Sequence, residues 1–279
     1  EWTETFFIPD NSAEDVVWRD KIVSKIGKLP DNTLDIWHYG FTEMFNNVVD
    51  HSGSNNVLIR IKKTAQTTQM DIVDVGVGIF NKIKNSMNLL DERHAVLELT
   101  KGKLTTDPQS HSGEGIFFTS RMFDSFNILS GEVFLSHKYG EDEDWILQNA
   151  DNNNGTYITM KLKNNTARTR KEIFNKFSDD DYGFTKTIVP VRLAQYGNEK
   201  LISRSQAKRL LERVDRFKIV LFDFTEVEII GQAFADEVFR VFANEHPHIE
   251  IFPINANDDV KQMIKRVTSD TSQNQGNLF

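Results

Sequence analysis

The chain has no cysteine among its 279 residues. This absence excludes disulfide bridges and zinc sites built from thiolates, and it is compatible with a reducing cytoplasm. The sequence also lacks a run of about eighteen apolar residues, the length that a membrane-spanning helix requires. We therefore expect a cytoplasmic chain that spans no membrane, and its length suffices for two domains.

Basic residues are in the minority. Lysine and arginine together number 33 against 41 aspartates and glutamates, which gives a net charge of −8. An acidic chain is favoured in solution and is poorly suited to a broad contact with the phosphate backbone of a nucleic acid. We therefore expect no nucleic-acid partner, although the composition still allows a local basic patch.

Two common nucleotide-binding signatures are missing as well. The P-loop pattern GxxxxGK[ST] occurs nowhere in the chain. The glycines of the segment DVGVGIF, residues 74–80, do not continue into GxGxxG, because Asn81 stands where the last glycine would be. The sequence thus predicts neither a P-loop nor a dinucleotide-binding fold of the Rossmann type.

The segment from Leu34 to Val49 predicts an amphipathic helix, since its apolar residues recur at spacings of three and four. Glu43, Asn47 and Asp50 follow the same spacing and share another face of that helix. An amide oxygen is a hard ligand that suits Mg²⁺, and a carboxylate can orient or deprotonate a nucleophile. The alternative is an ordinary solvated polar face.

A strand from Gln69 to Asp74 is predicted next by its alternating pattern, and Gly76 and Gly78 end it. Glycines at alternate positions let the backbone approach a planar ring closely, and the Asp74 carboxylate can accept a hydrogen bond from an exocyclic amine. Alone, the DxGxG pattern is also compatible with an ordinary turn.

A second glycine segment precedes a helix predicted from Ile116 to Phe123, and its backbone amides can face phosphate groups. Its residues are Ser112, Gly113, Glu114 and Gly115. Before it, Lys101 and Lys103 flank Gly102 in a region rich in turn residues. We expect these lysines either to offset phosphate charge, with Gly102 as a hinge, or to be solvated loop residues.

In their order and spacing these motifs resemble the GHKL ATPase superfamily, which includes gyrase B subunits, Hsp90, MutL, histidine kinases and the anti-sigma-factor serine kinases. Residues 43–50 (EMFNNVVD) resemble the N box of that superfamily, 74–78 (DVGVG) its first glycine box and 113–115 (GEG) its second. Residues 155–160 (GTYITM) resemble its last conserved strand. The arrangement is most similar to that of the anti-sigma-factor kinases.

The resemblance implies ATP and Mg²⁺ as cofactors. It makes Glu43 the general base, Asn47 the Mg²⁺ ligand, Asp74 the residue that reads adenine, and Thr156 a further contact near adenine. The positions expected to contact the nucleotide are Asn46, Asn47, Asp50, Asp74, Gly76, Gly78, Lys101, Ser112, Gly113, Glu114, Gly115, Ile116 and Thr156.

The fold class expected from these patterns is α/β, with a GHKL-type sandwich over residues 1–165. Its sheet is expected to be largely antiparallel, with helices on one face. Strands are predicted at 126–130, 132–136 and 156–162, separated by Gly131 and by a hairpin turn within 141–154. The strand at Thr3–Pro9 and the helix after it are placed in this domain; an exchanged dimer arm is the alternative.

Residues 166–184 are polar and charged and are predicted to link two domains. Strands alternate with helices over residues 185–268, which predicts a smaller α/β domain with parallel pairing. The polar tail 269–279 is predicted to be disordered.

The second domain resembles the STAS-like domains found beside GHKL modules in bacteria, through residues 223–237 (DFTEVEIIGQAFADE). In anti-sigma-factor antagonists the equivalent turn carries a serine that a partner kinase phosphorylates. Here Gly231, Gln232 and Ala233 occupy that turn, and none of them has a hydroxyl group. Phosphorylation at that turn is therefore not expected; Thr225 has the nearest hydroxyl and is more simply explained as a strand-end residue.

Together these motifs predict a bacterial signalling or regulatory protein that binds and slowly hydrolyses Mg-ATP, whose nucleotide state gates the STAS-like domain or a protein partner. Histidine kinases lack a glutamate base at the position of Glu43, which argues against that branch. The alternatives are a serine/threonine kinase that acts on a STAS partner and a nucleotide-gated binding module without turnover. The resemblance also allows a homodimer.

Overall fold

The computed structural model describes residues 1–8, 13–104, 113–140, 145–180, 183–195 and 199–274, with only the backbone described for 145–153 and 270–274. The chain divides into two compact units. The first contains residues 1–95 and 103–176, and the second contains residues 96–102 and 177–279. Among the described residues, no helix combines the length and apolar character that crossing a membrane requires.

The first unit contains a five-stranded antiparallel sheet with the order β1-β2-β3-β5-β4. Its strands are β1 (Trp2–Phe7), β2 (Asn56–Lys63), β3 (Thr67–Asp74), β4 (Ser125–Lys138) and β5 (Trp145–Lys163). Alternate residues of β2 are buried, as expected for a sheet with one face packed against helices. The N-terminal strand β1 pairs with β2 of its own chain. The predicted α/β class is thereby confirmed for this unit.

Two turn predictions in this sheet were wrong. Gly131 was expected to separate two strands, but it lies inside β4, where the register with β5 shifts and the φ angle is +57°. A glycine at positive φ suits a β-bulge as well as a turn. The acidic and Asn-rich stretch 141–154 was expected to form a turn; residues 141–144 lie outside the described residues, and the backbone of 145–154, including the Asn-rich segment 151–154, belongs to β5.

The helices of the first unit are dominated by α3, which spans Asp31–His51 and extends beyond the predicted helix at both ends. Pro30 precedes it, and Asp31 in its first turn complements the positive end of the helix dipole. Its apolar stripe is buried in the core: Ile36, Trp37, Phe41, Met44, Phe45 and Val48. The other helical segments are α1 (Glu14–Val17), a π-helical stretch (Trp18–Ile22), α2 (Val23–Ile26), α4 (Ile79–Met87), α5 (Glu92–Lys101), α6 (Gly115–Met122) and α7 (Arg170–Phe177). Only the first residues of α5, up to residue 95, belong to this unit.

Helix α7 lies within the segment that was predicted to be a linker. It packs through buried Ile173 and through Phe174, whose ring stacks on Phe118 at 4.1 Å between centroids. Stacked aromatic rings at this spacing stabilise a contact beyond the area that they bury. Part of the expected linker is therefore ordered structure in the first unit, which extends to residue 176.

The second unit contains a parallel three-stranded sheet in the order β6-β7-β8, as predicted. Its strands are β6 (Lys186–Pro190), β7 (Ile219–Asp223) and β8 (Glu250–Ile254). Its helical segments are a 3-10 turn (Val191–Ala194), α8 (Arg204–Leu211), a second 3-10 turn (Val214–Arg216), α9 (Gln232–Asp236), a π-helical stretch (Glu237–Phe242), α10 (Ala243–Glu245) and α11 (Asp258–Asn274). Helix α11 includes residues 269–274, so this part of the predicted disordered tail is helical.

Candidate functional site

Asp74 and Thr156 face each other across neighbouring strands. Asp74 ends β3, pairs in register with Thr156 of β5, and is 4% exposed. Its Oδ1 accepts a hydrogen bond from the Gly76 amide at 2.8 Å, and the Ile79 amide donates to the Thr156 hydroxyl at 3.1 Å. The first glycine box and the last conserved strand of the resemblance thus meet at one end of the sheet.

Burial raises the pKa of Asp74, because a charged carboxylate loses hydration in this position. Hydrogen bonds from the Gly76 amide and from the amide and hydroxyl of Thr156 lower the pKa again, but only in part. The carboxyl group is therefore held in a fixed orientation in a poorly hydrated place. Such a group can recognise a ligand amine with little competition from water.

The turn after Asp74 is held against two other elements. A Cβ atom on Gly76 would lie 2.1 Å from the Ser52 carbonyl oxygen, just beyond the end of α3, and the Val77 amide donates to that same oxygen at 2.9 Å. Gly78 has a φ angle of +78°, and a Cβ there would lie 2.7 Å from the Ser130 hydroxyl. Neither position has room for a side chain, so both glycines are required by the packing.

Glu43 on α3 lies against the start of α6. A Cβ atom on Gly115 would come within 2.0 Å of the Glu43 Oε2 atom. Gly113 has a φ angle of +71° and packs on the backbone of Leu104, whose amide donates to the Gly113 carbonyl at 3.1 Å. The structure therefore brings Glu43 and Gly115, which were predicted to belong to one site, into contact.

The remaining predicted positions have more varied surroundings. Asn46 and Asn47 are half-buried on α3, Asp50 is exposed, and Glu114 and Ile116 are half-buried at the start of α6. Ser112 lies outside the described residues. The role of Asn47 as the Mg²⁺ ligand stays a prediction.

Lys82 was not predicted from the sequence as a site residue. It lies on α4, and its side chain reaches the end of α3. Its ammonium group donates to the His51 carbonyl at 2.8 Å. Burial lowers the pKa of Lys82, and the charge of Asp50 partly offsets that effect. The lysine therefore links α4 to the end of α3. Its position four residues after Gly78 was the available sequence signal.

Tyr39 was also missed, although it precedes Glu43 by one helical turn. Burial is the main cause of its raised pKa, and the charges of Glu43 and Glu114 raise that pKa further. The pKa of Glu114 is itself raised by burial and lowered in part by Lys103. A neutral phenol and two carboxyl groups are thus within electrostatic reach of one another, beside the glycines of the second box.

Lys101 does not have the surroundings that were expected of a residue that compensates phosphate charge. It is the last residue of α5, is 0% exposed, and its ammonium group bonds to Glu98 at 2.5 Å. The prediction treated this stretch as a polar loop. Its lysine is instead a core residue of the second unit.

The second unit has its own polar cluster at the carboxyl end of β7. The Asp223 Oδ1 atom accepts hydrogen bonds from the Thr225 amide at 3.0 Å, the Thr225 hydroxyl at 2.8 Å and the Asn255 side-chain amide at 3.1 Å. Thr225 is therefore held by the strand-end aspartate, which agrees with the structural explanation given for it. Gly231, in the turn where no residue has a hydroxyl group, lies against Ile202 and is the N-cap of α9.

Comparison with protein families identifies this part of the chain. Residues 206–261 match the family model of the STAS-like domain of unknown function (DUF4325). This region is a STAS-like domain. It runs from α8 into α11 and includes β7 and β8. A comparison with curated proteins gives no match.

Proposed function

We propose that the first unit binds Mg-ATP in the manner of GHKL ATPases and hydrolyses it slowly, and that its nucleotide state gates the STAS-like domain or a protein partner. The observation that carries this proposal is the convergence of four sequence motifs. Glu43 meets Gly115, the turn at Gly76 meets the end of α3, and Asp74 meets Thr156. An arbitrary polar helix face and an arbitrary glycine turn have no reason to converge in this way.

The residues are chemically suited to these roles. Asp74 offers a carboxylate of fixed orientation for the amine of adenine, and the amides at the start of α6 offer donors for phosphate oxygens. Asn47 is the residue that would hold Mg²⁺, which would neutralise phosphate charge as the bond to the γ-phosphate breaks. Glu43 is the base that would take a proton from the attacking water.

Calorimetric titration of Mg-ATP tests the binding site. Asp74→Asn removes the carboxylate that accepts from adenine, so we expect its affinity to fall at least tenfold or to become undetectable. Asp71→Asn is the matched control, because Asp71 is a buried aspartate of the same strand and bonds to Gln69 and Thr159 instead. Equal affinities of the wild type and Asp74→Asn would contradict the proposed adenine site.

Phosphate release separates the possible activities. Glu43→Ala should abolish turnover and keep nucleotide affinity, whereas Asp35→Asn, two turns earlier on α3, should retain both. Release without any phosphoprotein would identify an ATPase. Transfer of labelled phosphate to a STAS protein would identify the kinase alternative, and tight binding without release would identify a binding module.

A further inference from the structure

The last part of helix α5 belongs to the second unit. Residues 96–102 are counted with it, although they lie in sequence between two parts of the first unit. All of these residues are buried: Val96, Leu97, Glu98, Leu99, Thr100, Lys101 and Gly102. We call them the anchor segment. A stretch that is buried at every position is a core element and not a surface loop.

A charged cluster holds the anchor segment in place. Glu98 and Lys101 both have side chains with 0% exposure, and Arg213 donates to the Glu98 Oε2 atom at 2.8 Å. The Lys101 ammonium group also donates to the carbonyls of Arg209 at 3.2 Å and Glu212 at 2.8 Å, at the end of α8. A cation that bonds the last carbonyls of a helix is favoured by the helix dipole.

Backbone contacts complete this attachment. The Thr187 hydroxyl of β6 donates to the Lys101 carbonyl at 2.7 Å, and Arg213 donates to the Gly102 carbonyl at 3.1 Å. An ion pair that is buried in this way contributes less stability than apolar packing would, but removing one member leaves a charge without compensation. The cluster therefore specifies one docked position and is sensitive to small displacements.

The anchor segment continues directly into the candidate nucleotide site of the first unit. Gly102 and Lys103 both have positive φ angles, +82° and +51°. The next residue, Leu104, donates its amide to the carbonyl of Gly113 in the second glycine box at 3.1 Å. Lys103 lowers the pKa of Glu114 through its charge. A single residue, Lys103, thus separates the anchor segment from the residue that contacts the glycine box.

We propose that the anchor segment couples the nucleotide site to the STAS-like unit: occupation of the site by Mg-ATP displaces the second glycine box and thereby changes how firmly residues 96–102 are docked. This proposal rests on the proposed function. The coupling is reciprocal, since two states that differ in docking must also differ in nucleotide affinity by the same factor. Its structural basis is a short tether between a buried ionic cluster and the glycine box.

Amide hydrogen exchange on the full chain tests the coupling. We expect saturation with Mg and a non-hydrolysable ATP analogue to change the exchange rates of residues 96–102 at least tenfold in the wild type. Lys101→Met should accelerate exchange there without nucleotide and change the Kd for the analogue at least fivefold. Thr187→Val removes one hydrogen bond to the segment and should change the exchange rates and the Kd in the same direction, but by less. It is the substitute variant if Lys101→Met does not fold.

Lys218→Met is the matched control, because Lys218 is an exposed lysine of the same unit that pairs with Asp179. It should leave both the exchange rates and the Kd unchanged. The coupling would be overturned if the analogue bound but exchange in residues 96–102 changed less than twofold, and if all variants had the same Kd. The proposed function would remain intact in that case. No binding by the wild type would overturn both.

Discussion

The α-carbon of Gly115 lies directly beside the carboxylate of Glu43. A methyl group on Gly115 would stand 2.0 Å from Oε2 and 2.8 Å from Cδ, so the two residues are in contact and the carboxylate has no room to move in that direction. Glycine at this position therefore fixes where the proposed base can point. Glu43 and Gly115 are far apart in the sequence, so local sequence patterns do not predict this contact.

Gly115→Ala should displace the Glu43 carboxylate. Because misplacement of a catalytic group by about 1 Å can cost about 10²-fold in rate, we expect ATP turnover to fall by about that factor with a smaller change in affinity. Phosphate release and calorimetry measure the two effects. Gly53→Ala is the control: a Cβ there would meet no atom within 4 Å, and the positive φ angle of Gly53, +67°, makes this variant a test of local backbone strain without displacement of Glu43. If Gly115→Ala turned over ATP at the wild-type rate, Glu43 would not be the base.

The stability of the first unit should depend on the ionisation of Asp74. Burial raises its pKa in the folded state above the ordinary value for an aspartate. The folded state then binds the proton more tightly than the unfolded state, so stability is lost as pH rises from about 3.8 through the folded pKa. Asp74→Asn cannot ionise, so its stability relative to the wild type should increase over this range in urea titrations. A constant difference between pH 4 and pH 7 would contradict the raised pKa.

Gly40 allows α3 to approach the Phe123 ring. A Cβ atom at this position would lie 2.5 Å from Cε2 of Phe123, which is fully buried and packs edge-on against Trp37. Overpacking typically costs about 1–3 kcal/mol, which exceeds the gain of about 1 kcal/mol when alanine replaces glycine in a helix. Gly40→Ala should therefore lower the urea midpoint, and Phe123→Leu in the same chain should restore part of the loss. A more stable Gly40→Ala variant would show that the ring can move aside.

Much of the fold follows from local patterns. The apolar stripe that includes Trp37 and Phe41 defines α3 correctly, and the alternation of strands and helices in the second unit predicts its parallel sheet. Gly131 shows the limit of such patterns, since a glycine at positive φ serves a bulge as readily as a turn. The sequence predicted too short a strand for β5, because the Asn-rich part of β5 has the composition of a turn.

The sequence predicted the motifs of the candidate site but not the contacts between them. Asp74 and Glu43 follow from spacing, but the sequence does not reveal that Lys82 reaches the His51 carbonyl. Lys101 was assigned the wrong surroundings because lysine beside glycine and threonine is typical of an exposed loop. Its burial depends on Glu98, one turn earlier, and on Arg213, whose position relative to α5 is a property of the folded chain.

The ion pair between Glu98 and Arg213 joins residues 115 positions apart, so its two members are synthesised at different times. At about 5–20 residues per second, the ribosome needs on the order of 6–23 s to add Arg213 after Glu98 has been made. During that interval the last turn of α5 has none of its ionic partners from α8 and its flank. A first unit that folds during synthesis completes its sheet while residues 96–102 still lack these partners, and the second unit then packs around a segment that was made before the rest of it.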